Sequence, residues 1–186
     1  MIKKTISFLL LLFVLQAVKS ADPGIYSADN GSVSFRSDAP QELISATSHD
    51  LHGLIDINKR TFAFSIRMRS FKGFNSGLQR EHFNENYVES EKFPDATFRG
   101  KIIEQVDLRQ DGKYTVRAKG ILSIHGIEQD RIIKSEVIVQ KGVIHVDSKF
   151  SVLITDHDIK VPRVVHDKIA SEIQVEVSAD FKKKES

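Results

Sequence analysis

The chain has 186 residues, 40% of them hydrophobic and 28% charged, with no cysteine, no tryptophan and a formal net charge of +2. That length suits one domain with a sizeable core, and the apolar content excludes a disordered or collagen-like chain. Without cysteine there is no disulfide scaffold, thiolate metal site, cysteine nucleophile, iron–sulfur cluster or lipid-anchored N-terminus.

Lys3 and Lys4 precede an almost wholly apolar run at 6–18, and Val18-Lys19-Ser20 sets a small residue before Ala21. This is the three-part pattern of a secretory signal peptide over 1–20, cleaved near Ser20. The run is shorter than the roughly 20 apolar residues of a membrane span. The expected mature domain, 21–186, is therefore exported with no transmembrane segment, and an exported chain without cysteine points to a bacterial periplasm or secreted space. Removing the signal removes Lys3, Lys4 and Lys19 and no acidic residue, so the net charge falls from +2 to −1. The basic footprint of a nucleic-acid binder is then missing. Lys182-Lys183-Lys184 reads as a solvated tail, and Asn30-Gly31-Ser32 as a turn.

Beyond the signal, period-two alternation dominates. Strands are predicted at 32–37, 42–57, 61–69, 96–108, 113–124, 128–139, 144–154 and 173–181. Phe62, Phe64, Ile66 and Met68 share one face of the third, with Thr61, Ser65, Arg67 and Arg69 opposite. Ile144, Val146, Phe150, Val152 and Ile154 repeat the scheme in the seventh. The second loses phase near Ser48 to Asp50, which predicts a bulge there and a bend at Gly53. Asp111-Gly112 and Lys141-Gly142 are predicted as tight hairpin turns.

Ten residues of strand span roughly 33 Å. Long strands, each with one apolar face, predict a mainly β fold, an eight-stranded antiparallel barrel with one or two short helices, and leave a two-sheet sandwich as the alternative. The helices are expected at 78–87, with Leu78, His82, Phe83 and Tyr87 on one face, and at 163–170 after Pro162.

Seven phenylalanines, among them Phe62, Phe64, Phe71, Phe74, Phe83 and Phe98, fall between 62 and 98. They line an apolar tunnel or fill a solid core, and periodicity does not separate the two. His82, among these rings, is either a polar contact at the barrel mouth or a histidine satisfied by backbone. His49 and His52 suggest a metal pair, but residues three apart in a strand diverge unless a bulge intervenes. Asp156-His157-Asp158 reads as a solvated loop, and His125 and His145 as surface residues. No nucleophile elbow, zinc-binding His-Glu-x-x-His helix or phosphate loop is present. An enzyme is not expected, and neither a cofactor nor a metal is predicted.

The segment 81–98 reads Glu-His-Phe-Asn-Glu-Asn-Tyr-Val-Glu-Ser-Glu-Lys-Phe-Pro-Asp-Ala-Thr-Phe. With Ile44-x-Ala46, Leu51-x-Gly53 and Phe71-x-x-Phe74 upstream, and Gly120-x-Leu122-x-Ile124-His125-Gly126 downstream, it resembles the YceI-like family of exported proteins. The likeness spans roughly 30 to 180. It implies a lipocalin-like barrel closed at one end, with a tunnel for polyisoprenoid or another long-chain amphiphile. It also implies that Phe62, Phe64, Phe71, Phe74, Phe83 and Phe98 line the tunnel while His82 and Tyr87 meet the polar end. Family members carry Arg-Asp where this chain has Gln79 and Arg80, which widens the expected ligand to a quinone or a fatty acid or amide. The expected role is transport or storage, the alternative a non-enzymatic stress or interaction protein with a filled core, and a homodimer stays open.

Overall fold

The computed structural model describes residues 24–184, so the signal-peptide prediction over 1–20 lies outside the described residues. The alternating segments become β1 (Ile25–Asp38), β2 (Leu43–Asp56), β3 (Thr61–Arg67), β4 (Asp95–Ile102), β5 (Gly112–Ile124), β6 (Ile127–Gln140), β7 (Val143–Leu153) and β8 (Glu172–Lys183). Each pairs antiparallel with the next, and β8 returns to β1, closing the barrel. Closure removes the sandwich alternative. Lys182 and Lys183 pair with Ser27 and Tyr26, so the basic run is strand rather than tail.

The bulge is where the broken phase puts it. Gly31 pairs with Leu51 and Val33 with Ser48, leaving one extra residue of β2 between the two pairs. A second register shift between Ala28 and Gly31 places Asn30-Gly31-Ser32 inside β1, not at a turn. Two tight two-residue turns reverse the chain at His125-Gly126, with φ of 53° and 73°, and at Lys141-Gly142, with φ of 51° and 77°. Two left-handed residues in succession match the twist of the flanking strands. Asp111-Gly112 is not such a turn. β4 stops at Ile102, and residues 103–111 cross the barrel end, where Leu108 is buried. Asp111 instead accepts the Lys141 N–H at 3.0 Å.

The two ends of the barrel differ. At the end where β3 begins and β8 finishes, Phe62, Val116, Val137, Ile144 and Phe181 form a solid plug, with Ile144 and Phe181 at 0% exposure. Gly53 bends under Phe181: a Cβ there would lie 2.8 Å from the ring. The opposite end carries the helical pieces. Between β3 and β4 come a 3-10 turn at Met68–Ser70, α1 (Gly77–His82) and a π turn at Phe83–Tyr87. Between β7 and β8 come 3-10 turns at Ile154–His157 and Arg163–Lys168. Ser76 caps α1 by accepting the Gln79 N–H at 3.1 Å.

Two histidines depart from expectation. His125 occupies the β5–β6 turn with its side chain 11% exposed. Its ring nitrogens lie 3.0 Å from the His157 carbonyl oxygen and 2.6 Å from a Glu89 carboxylate oxygen, and its ring meets Phe93 edge-on. His157 is not in a solvated loop. Left-handed Asp158 reverses the chain just after it, and the imidazole is fully buried with Nδ1 donating to the Ile127 carbonyl at 3.1 Å. His145 is half-buried on the outer face, between Asp180 at 2.6 Å and Asp147 at 2.9 Å.

Candidate ligand-binding site

Above the plug the barrel is hollow. A cavity of about 260 Å³ occupies its helical half, and the residues lining it include no aspartate, glutamate, lysine, arginine or histidine. Its floor is Val33, Leu51, Phe64, Phe98, Ala118 and Val146, of which Phe64, Ala118 and Val146 stand one inward position above the plug residues Phe62, Val116 and Ile144. The rings of Phe62 and Phe98 stand 4.9 Å apart, and Phe64 meets Phe181 edge-on at 5.5 Å, so the floor is welded to the plug.

The roof is a second aromatic cluster. Phe35 lies 5.3 Å from Phe71, 5.9 Å from Phe74 and 5.4 Å from Phe83, stacked on the last at 18°. Phe74 and Phe83 are 5.1 Å apart. These rings hold the lid segment 77–87, whose α1 has six residues and is too short to persist in isolation. Polar contacts complete the attachment. Gln79 donates to Glu42 Oε1 at 3.0 Å and accepts the Asn75 N–H at 3.0 Å, while Asn75 donates to the Leu43 carbonyl at 2.9 Å. The β1–β2 turn thereby grips the lid on one side. On the other, Gln41 N–H donates to the Asp167 carbonyl at 2.9 Å, and Ser37 Oγ accepts the Ala170 N–H at 2.9 Å.

Of the residues singled out from sequence, Phe64, Phe71, Phe74, Phe83, Tyr87 and Phe98 line this cavity. Phe62 does not; it lies below the floor, 6% exposed. His82 does not either. The spacing Gln79, Phe83, Tyr87 turns inward, which puts Leu78, 60% exposed, and His82 on the solvent face. Phe35, Gln79 and Phe150 line the cavity without having been singled out. Burial raises the Tyr87 phenol above its ordinary value. The lining also includes the polar residues Ser37, Ser65, Gln79 and Thr97, with Ser135 and Ser148 at floor level.

The bulge between Ser48 and Leu51 puts both His49 and His52 outward. There His52 lies 3.4 Å from Asp50 and 3.6 Å from Asp29. Among the described residues no group of three or more potential ligands is arranged to hold a metal ion. No described helix is long and apolar enough to cross a membrane.

Comparison with known proteins gives consistent matches. The model of the YceI-like domain family matches residues 26–181. A polyisoprenoid binding domain from Saccharophagus degradans, implicated in plant cell wall breakdown, is similar over 87% of this chain and 99% of its own, at 14% identity and a TM-score of 0.73. Burkholderia cenocepacia BcnA is similar over 81% of this chain and 95% of its own, at 15% identity and a TM-score of 0.67. A Campylobacter jejuni YceI protein matches over 70% and 78%, at 16% identity and a TM-score of 0.54. No curated protein matches the chain.

Proposed function

We infer, on the premise that this chain belongs to the YceI-like domain family, that it is an exported binding protein for a long-chain apolar ligand. The ligand is a polyisoprenoid, an isoprenoid quinone or a fatty acid or amide, held in the helical half of the barrel for transport or storage. One observation carries this reading: a cavity of about 260 Å³ with no aspartate, glutamate, lysine, arginine or histidine in its lining, floored by Phe64 and Phe98 and roofed by Phe35, Phe71, Phe74 and Phe83. The description of the Saccharophagus degradans neighbour as a polyisoprenoid binding domain supports it. The signal-like sequence at 1–20 supports export.

The binding energy is that of chain burial. Each buried carbon contributes about 0.8 kcal/mol, so ten contribute ~8 kcal/mol before ordering costs, the scale of micromolar affinity. Affinity for a homologous series of alkyl amides, measured by native mass spectrometry, is expected to climb with each carbon until the cavity is full and then level off. A response independent of chain length would remove burial as the source of binding. Organic extraction of protein purified from a periplasm supplies the complementary result, a mass lost on extraction whose fragments identify the lipid.

A further inference from the structure

Ser135 and Ser148 face each other across β6 and β7, in register, with their hydroxyl oxygens 2.7 Å apart. Both line the cavity, and Ser135 is 6% exposed. Each occupies the inward phase of its strand, between Ile133 and Val137 on β6 and between Val146 and Phe150 on β7. Their level is the floor: Val146, the next inward residue of β7, is the last on that strand to touch the cavity.

A pair of hydroxyls has two hydrogens and needs only one for the bond between them. The second hydrogen has no acceptor among the described residues. A cross-strand serine pair on an outer face would give that hydrogen to water. Here the surroundings are Ile133, Val146, Phe150 and Val177, which offer a water at that hydroxyl no further side-chain partner. A buried O–H left without a partner is costly, and the acceptor that would relieve the cost has to arrive with the ligand.

We propose that the serine pair is a floor subsite that accepts an uncharged oxygen acceptor at the leading end of the bound chain. The ligand then enters head-first, a ketone, aldehyde or amide carbonyl receiving the free hydroxyl hydrogen while its tail runs up to the lid. The subsite excludes a carboxylate or a phosphate from this position, because no cationic side chain lines the cavity to compensate a buried charge. A charged head group stays at the mouth. This proposal rests on the binding function inferred above and specifies the polarity and class of what is bound.

The test compares tridecane with 2-tridecanone, two chains of equal length, in the wild-type protein, in the double variant Ser135→Ala/Ser148→Ala and in Gln79→Leu. Removing both partners of a buried hydrogen bond leaves no orphan, so the double variant is expected to fold. The ratio of ketone to alkane affinity is expected to fall about fivefold in the serine variant, the scale of one hydrogen bond. An unchanged ratio overturns the proposal. So does a ratio that falls in Gln79→Leu but not in the serine variant, which would place the carbonyl at the mouth. Nuclear Overhauser contacts in the wild-type complex give an answer that needs no variant: the methyl next to the ketone carbonyl is expected beside Val146, and contacts from that methyl to Tyr87 instead reject the head-first orientation. If neither chain binds the wild-type protein, the carrier function itself fails and takes the subsite with it.

Discussion

His157 and His145 respond to pH in opposite directions because one is deprived of water and the other is given two carboxylates. Burial lowers the pKa of His157 and outweighs the help of the Ile127 and Ile124 backbone and of nearby Asp156; Arg131 pushes the same way as burial. Asp180 and then Asp147 raise that of His145 against partial burial. An unfolded histidine titrates near ~6.5. The stability contributed by neutral His157 is therefore complete above that pH and lost as pH falls from there through its lowered folded value. That contributed by charged His145 is complete below ~6.5 and lost as pH rises through its raised folded value. Urea midpoints for His145→Gln should fall most on the acid side, the deficit shrinking as pH rises from ~6.5 through the raised folded value, and those for His157→Gln most on the alkaline side, the deficit shrinking as pH falls from ~6.5 through the lowered folded value. Two variants that both track the wild-type profile would show that neither imidazole sets it. The same surroundings explain what could be read in advance. An alternating strand announces Phe64 and Phe98, and it announces Phe35 and Phe150 equally, as residues in phase with Val33 and Val152. Serine in that phase, at 135 and 148, signals a polar group facing inward. His82 attracted attention by its chemistry, whereas the i, i+4, i+8 spacing of Gln79, Phe83 and Tyr87 decides which side of the lid looks in.

The hairpins illustrate how one element depends on two distinct properties of glycine. Gly126 and Gly142 each take the second position of a two-residue turn at φ of 73° and 77°. At Gly142 a Cβ would meet nothing within 4 Å, while at Gly126 it would fall 2.4 Å from the Phe93 ring. Gly142→Ala thus carries only the left-handed backbone strain, about 1–2 kcal/mol. Gly126→Ala carries the same strain and also displaces Phe93 from its edge-on contact with His125, 4.8 Å between centroids. Its loss in a denaturant titration should exceed that of Gly142→Ala by more than 1 kcal/mol, on the scale of overpacking. Equal losses would mean that Phe93 moves freely and that the turn is not tied to the segment before β4. Elements governed by alternation were legible, the β2 bulge included, because one extra residue visibly reverses the phase. The 103–111 crossing was not, since Val106 and Leu108 keep the phase of Ile102 and so mimic continued strand. Only the tertiary demand for a cover over the plug ends β4 at Ile102.

At the scale of the whole molecule, the choice between tunnel and filled core is answered by height along the barrel axis. The lower half is filled by Phe62, Val116, Val137, Ile144 and Phe181, and the upper half holds the cavity between two phenylalanine clusters. Periodicity assigns a residue to the inside and carries no information on how many insides meet at one level, so this division was beyond reach of the sequence. A void of about 260 Å³ forgoes packing on the order of 6 kcal/mol at ~24 cal/mol per Å³. A barrel that only had to be stable would have larger side chains there. Two neighbouring inward positions of β5 test this directly. Ala118 lines the cavity, and Val116, 2% exposed, lies in the plug. Ala118→Phe should hold or raise the thermal midpoint, because the ring enters empty space, and it should abolish uptake of long chains while sparing short ones. Val116→Phe should cost about 1–3 kcal/mol by overpacking and leave the affinity of the folded fraction near that of the wild type. If both substitutions destabilise alike, the interior is solid throughout and the cavity is not a binding site. If Ala118→Phe is tolerated and long chains still enter with unchanged affinity, they bind elsewhere on the barrel, and the two phenylalanine clusters serve its stability alone.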